Sequence, residues 1–366
     1  MDDAGPQPGD GPADGPVAER DHQQGDKNDG PRIGPVDDFQ RRHSALGLPI
    51  AVLYKYFDDQ ATYLAVIATY YALFAIFPLL LLATSLLGFV LEGNTDLQQQ
   101  VLESTLSQFP IIGDQFRQPE GLTGSTPAVV LGALVALYGA IGLGTAVQNA
   151  LNVAWSVPRN SRPNPFLLRI KSLVIVSLSG LAILGLTTLS ILASNTQVMG
   201  VMDDWPARWP VRLLSILAVA LVLTLLLRLG SARSDRTRTT LPGAFLIAIL
   251  WHGLQTLGAA YVTNVLANAS SLNQTFGLVL GLMALLFLAS VMGMLGVELN
   301  IVIERHLWPR ALLTPFTDAV VLTDADRRAY AGYARAQRHK GFQHVLVDFG
   351  DGQPFRPSDR DERRSG

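Results

Sequence analysis

Long apolar runs separated by short polar clusters set the pattern of this chain. Tyr63 to Leu91 contains no Asp, Glu, Lys or Arg, and neither does Gly121 to Pro158 or Thr239 to Val297. About 20 apolar residues suffice for a helix to cross a bilayer. The first two runs therefore predict one span each. The third is long enough for two, divided by the polar stretch Asn264 to Gln274. Spans are predicted near 63–91, 128–151, 172–195, 211–229, 242–262 and 276–301. The expected fold is all-α: a polytopic six-helix membrane bundle occupying residues 41–304.

The segment before the first span has a different pattern. Leu46, Ile50, Leu53, Tyr54 and Phe57 recur at helical spacing, with Lys55, Asp58 and Asp59 on other faces. Too short and too charged to span, it predicts an amphipathic helix lying at the membrane interface. Pro78 falls inside the first span, where a missing backbone donor predicts a kink. Between the first two spans, Asn94 or Thr95 is placed to cap a helix carrying Leu97, Val101 and Leu102. Trp205 and Trp209 read as interfacial anchors in the connection before the fourth span.

The two ends are polar. Residues 1–40 hold ten acids against three bases in a Gly/Pro/Asp-rich setting that predicts a disordered tail. They have neither a basic n-region nor an apolar h-region, so the first span is expected to direct insertion. Residues 305–366 form a second tail. There Thr323-Asp324-Ala325-Asp326 predicts an N-cap and a helix over about 324–340, then a short extended piece at 345–349 and a disordered end.

Charge sets the orientation. The loops at 159–171, 228–238 and 305–310 together hold ten Lys and Arg; those at 92–126, 203–212 and 263–275 hold three. Cytoplasmic loops carry the excess of bases. This predicts a multi-pass protein of the cytoplasmic membrane with both termini inside. The basic loops also suit anionic lipid headgroups, although topology alone explains their charge. They lack interleaved aromatics, so nucleic acid is not an expected partner. Only 16% of residues are charged, against roughly 25% in soluble domains. There are no cysteines, which excludes disulfides, thiolate metal sites, iron–sulfur clusters and cysteine nucleophiles. No cofactor is expected.

Several punctuated segments resemble the BrkB/YihY family of bacterial membrane proteins. They are Thr69-Tyr70-Tyr71-Ala72-Leu73-Phe74-Ala75-Ile76-Phe77-Pro78-Leu79-Leu80, Leu137-Tyr138-Gly139-Ala140 through Asn149-Ala150-Leu151-Asn152 to Trp155, Pro242-Gly243-Ala244, Phe276-Gly277, and Leu295-Gly296-Val297-Glu298-Leu299-Asn300. The resemblance covers roughly residues 40–310 and implies a six-helix protein of the cytoplasmic membrane. Where that family often carries an aromatic midway along the last helix, this chain reads Met283-Ala284-Leu285-Leu286-Phe287. Some members have carried a ribonuclease label. Metal-dependent phosphodiester hydrolysis needs clustered His and carboxylate ligands. His22, His43, His252, His306, His339 and His344 are scattered, so a nuclease is not expected and no enzyme activity is assigned.

The candidate intramembrane polar site comprises Glu298, His252, Gln255, Gln148 and Asn152. Glu298 is an acid near the cytoplasmic end of an apolar helix, and intramembrane ionisable groups mark functional sites by default. The plain alternative is an ion pair at the headgroup level. His252 and Gln255, three apart, suit either a polar cavity or an interhelical hydrogen bond. Gln148 and Asn152 share a face beside Asn149, with the same two readings. Gly277, Gly281, Ala289 and Gly293, at multiples of four, suit close helix packing. Two functions follow: transport or lipid handling through a polar cavity, or a non-catalytic membrane-organising protein whose tails and loops bind partners. Neither a P-loop nor an internal repeat is present.

Overall fold

The computed structural model describes residues 35–42, 44–90, 126–195, 205–230, 237–266, 271–312, 314 and 320–350. It is helical, with no strand among these residues. Two short helices come first, α1 (Pro35–Arg42) and α2 (Ser44–Asp58). Six long ones follow: α3 (Ala61–Val90), α4 (Thr126–Ala154), α5 (Pro165–Asn195), α6 (Trp205–Gly230), α7 (Thr237–Tyr261) and α8 (Ser271–Arg305). A short C-terminal helix, α9 (Asp324–Ala336), completes the set.

Within α5 to α8, Pro165–Ala182, Leu213–Gly230, Thr240–Asn264 and Phe276–Arg305 are each long and apolar enough to cross a membrane. Helix is the form such segments must take, because lipid offers no partner for a bare N–H or C=O. The helices outrun the apolar stretches from which they were predicted. Pro165 opens α5, and Asn164 accepts the backbone N–H of Phe166 at 2.9 Å. Proline at the first helical position and asparagine just before it are start signals. Arg169 and Lys171 therefore stand in the first turns of α5 rather than in a loop. Similarly, α6 begins at Trp205, so both tryptophans of the expected connection lie within the helix range. The residues 1–34, 91–125, 196–204 and 351–366, and the side chain of Pro78, lie outside the described residues. Residues 1–34 of the acidic tail, the helix expected near Leu97 and the Pro78 kink fall there, whereas residues 35–40, expected in the disordered tail, belong to α1.

The long helices form a closed circuit. Each packs on the next in the chain from α3 to α8, and α8 packs back on α3. Helices one apart touch sparsely, and opposite helices do not pack on each other among the described residues. One end of this ring, where α3, α5 and α7 begin and α4, α6 and α8 finish, is capped. Its core brings together Val52 of α2, Leu151 of α4 and Trp155 just after it, Ile301 and Val302 of α8, Leu307, and Ala329 of α9.

At the capped end α2 has its faces reversed from the ordinary soluble arrangement. Ala51, Val52, Lys55 and Tyr56 are buried against the bundle. Leu53 and Phe57, on the expected apolar face, point outward and are 49% and 68% exposed. Helix α9 is held by the predicted cap: Thr323 Oγ1 accepts the N–H of Asp326 at 3.1 Å, and Asp326 accepts the N–H of Thr323 at 2.9 Å. The helix stops at Ala336, short of the expected Lys340.

Candidate functional site

The charged residues at the end of α2 meet a buried acid of α8, Glu298. Lys55 enters the capped end with 1% of its side chain exposed, close to a fully buried Glu298. The Lys55 ammonium lies 3.5 Å from the Glu298 carboxylate, pairs directly with Asp59, and donates to the carbonyl of Ala154 at the end of α4 at 2.9 Å. The Tyr333 ring of α9 lies 5.2 Å from the same ammonium. One cation thus ties α2, α4, α8 and α9 together. A lysine in such surroundings needs anionic or π-electron partners, since an unpaired buried charge is very costly.

A second charged cluster adjoins the first. Arg310, 1% exposed, pairs with Asp326 and, at 3.1 Å, with Asp58. Asp326 also accepts the N–H of Ala311 at 3.0 Å. Tyr333 donates to Asp58 at 3.3 Å and so links the two clusters. The electrostatics follow from burial and charge. Burial pushes the Asp59 carboxyl up, and the Lys55 charge only partly pulls it back. Burial works against the Arg310 cation, yet Asp326 and Asp58 hold it above its ordinary range. Burial, with Asp59 and Asp58 nearby, pushes the Tyr333 hydroxyl up.

The other residues expected in the polar site lie elsewhere. Gln148 is buried and donates to Leu168 O at 3.1 Å and Ser172 Oγ at 2.7 Å, fastening α4 to α5. Asn149 accepts from Arg162 at 3.2 Å, and Asn152 is buried one turn beyond Gln148. His252 and Gln255 are half-buried on α7. His252 shares a sector with the exposed Phe245 and Ile249, opposite the buried Leu254 that faces α8. The histidine and Glu298 are therefore not neighbours.

Glycines position the last helix. The Gly243 N–H donates to Asn300 Oδ1 at 2.7 Å. A Cβ on Gly243 would collide with the Gly296 carbonyl, and one on Gly296 would lie 2.7 Å from the Gly243 carbonyl. Pro242-Gly243-Ala244 and Gly296 through Asn300 are thus one contact, which sets Glu298 at its depth. Likewise a Cβ on Gly139 would lie 2.6 Å from the Phe74 and Ala75 backbone, so α3 and α4 cross closely. On the expected small-residue face of α8, Gly281 meets Tyr261, whereas Gly293 meets nothing within 4 Å.

Lys55, Asp59, Arg310 and Asp326 were not singled out from the sequence. A lysine and an aspartate four apart in an apolar helix were the available signal for the first pair. The family model described as Virulence factor BrkB matches residues 52–315. The chain belongs to the BrkB virulence-factor family. No curated protein and no solved structure matches it. The BrkB match takes in Lys55, Asp58, Asp59, Glu298 and Arg310 and ends before Asp326 and Tyr333. Family membership and the apolar helices make this a membrane protein.

Proposed function

We propose that this BrkB-family protein crosses the cytoplasmic membrane six times, with both termini inside, and carries or handles a lipid or small solute within its ring of helices. Catalysis has no part in this reading. The capped end bears the base-rich loops, which supports placing it in the cytoplasm. The outward Leu53 and Phe57 of α2 suit the boundary between headgroups and acyl chains.

The observation that carries the proposal is the space beside Gly293. Ser290, three residues earlier, faces Thr69 of α3 at 3.4 Å. Gly296, three residues later, faces Gly243 and Ile247 of α7. At about 100° per residue, Gly293 points midway between those two neighbours, into the ring. A Cβ there meets nothing within 4 Å. Six helices at interaxial distances of about 8–10 Å, arranged in a circuit, leave a centre about as wide as one more helix.

Native mass spectrometry in a mild detergent tests the proposal, with Gly293→Phe beside the wild type. Wild type should retain one lipid or small-molecule species at fixed stoichiometry, and the filled variant should lose it. Equal retention of a random lipid mixture by both would overturn the reading. The alternative, a membrane-organising protein that binds partners, draws on the C-terminal segment. There Arg335, Arg338 and Lys340 accompany Phe342 and Leu346, which are 83% and 81% exposed. A mass-spectrometric result showing only bulk lipid would move the search to that segment.

A further inference from the structure

We propose that Asp59 and Glu298 are a proton-binding site, holding one shared proton where α2 meets α8. The inference is independent of whether the ring carries a solute.

The site has two carboxyls and one ammonium. Glu298 is fully buried, and the side chain of Asp59 is 3% exposed. Both stand against the same Lys55 ammonium, which pairs directly with Asp59 and lies 3.5 Å from Glu298. Ionised carboxylates only accept hydrogen bonds. Neither Glu298 oxygen receives a hydrogen bond from a fixed donor among the described residues, although its Lys55 ion pair stands at 3.5 Å. One proton on either carboxyl turns two acceptors into a donor and an acceptor. It also removes the surplus negative charge.

The surrounding groups leave this surplus in place. From α2 come Lys55, already bound to Asp59 and the Ala154 carbonyl, and Asp58. From α9 comes Tyr333, whose hydroxyl donates to Asp58 rather than to the pair. From α4 comes that carbonyl, which carries no charge. Arg310 is committed to Asp326 and Asp58. Like charges in one site cannot both ionise cheaply, and carboxyl pairs elsewhere settle by sharing a proton. The raised Asp59 carboxyl agrees with this arrangement. Asp58, whose side chain is 25% exposed, gives the pair a neighbour at the solvent. Loss of the proton would place two negative charges across the seam that holds α2 to the ring, so proton occupancy sets how firmly the cap is fastened.

Infrared spectroscopy of the full-length protein in detergent reads this directly. Wild type at neutral pH should show a protonated-carboxyl carbonyl stretch, shifted in D₂O and lost reversibly at alkaline pH. Asp59→Asn and Glu298→Gln should each abolish it, because either change leaves one carboxylate opposite one ammonium. Absence of the band from wild type at neutral pH would overturn the proposal, a readout that needs no variant to fold. Survival of the band in either variant would overturn the sharing.

Discussion

The capped end and the middle of the ring are built on different principles. At the cap, four elements converge on one lysine, a second cluster fastens the C-terminal helix, and an apolar core of Val52, Leu151, Ile301 and Ala329 fills the rest. Further along α8 from the cap, a Cβ on Gly293 would face open space, and Ser290 one turn away meets Thr69 of α3 at a long 3.4 Å. Close packing and clustered ion pairs mark the cap, whereas a side chain added at Gly293 would meet open space. A cavity is expected where stabilising contacts are few.

The largest effect should come from the cap. Replacing Lys55 by Met leaves Asp59 and Glu298 without their cation, and breaking such a buried pair costs about 3–5 kcal/mol. Thermal unfolding in detergent should show this as a marked drop in Tm. Arg310→Met should cost a comparable amount and release α9, read as new proteolytic cleavage near residues 323–337. Next in size is the glycine contact. Gly243→Ala forces α7 from α8 and should cost about 1–3 kcal/mol, the usual penalty for overpacking. Gly293→Ala, where a Cβ has space, should leave Tm nearly unchanged and so sharpen the contrast. Below the Gly243 effect, Thr323→Ala removes the α9 cap and should cost about 1 kcal/mol.

Acidity offers a further handle on the same comparison. The Asp59 carboxyl is raised in the fold, so the folded protein holds this proton more tightly than the unfolded chain. The stability it contributes is complete below the ordinary carboxylate pKa and is lost as pH rises through the folded value. Wild type should therefore gain thermal stability on moving from alkaline to mildly acidic buffer, and Asp59→Asn should flatten that gain.

Much of the helical layout was legible from uncharged run length, because the bilayer leaves few alternatives for such segments. Helix ends were less so. Arg169 and Lys171 look like loop residues until Asn164 and Pro165 are read as a helix start. The Thr323 cap could be read locally, since its partner Asp326 lies three residues on. Glu298 stood out as an acid among apolar residues, but its partner did not. Lys55 and Asp59 lie at the end of a helix expected only to rest on the membrane interface, and the structure packs its Lys55 side into the bundle. Sequence distance hides that choice: Lys55 and Glu298 are joined only when the ring closes. His252 and Gln255 looked equally promising, yet the rotation of α7 carries the histidine away from α8. The glycine contact, by contrast, was present in the segments that resemble the family, without any sign that they touch.

The central claim, that a single buried cation fastens α2 to the ring against two carboxyls, is tested most directly by comparing thermal unfolding of Lys55→Met with that of the triple change Lys55→Met, Asp59→Asn, Glu298→Gln. Neutralising all three groups removes the uncompensated charges, so the triple variant should recover most of the stability that the single change loses. A triple variant no more stable than Lys55→Met alone would contradict the account.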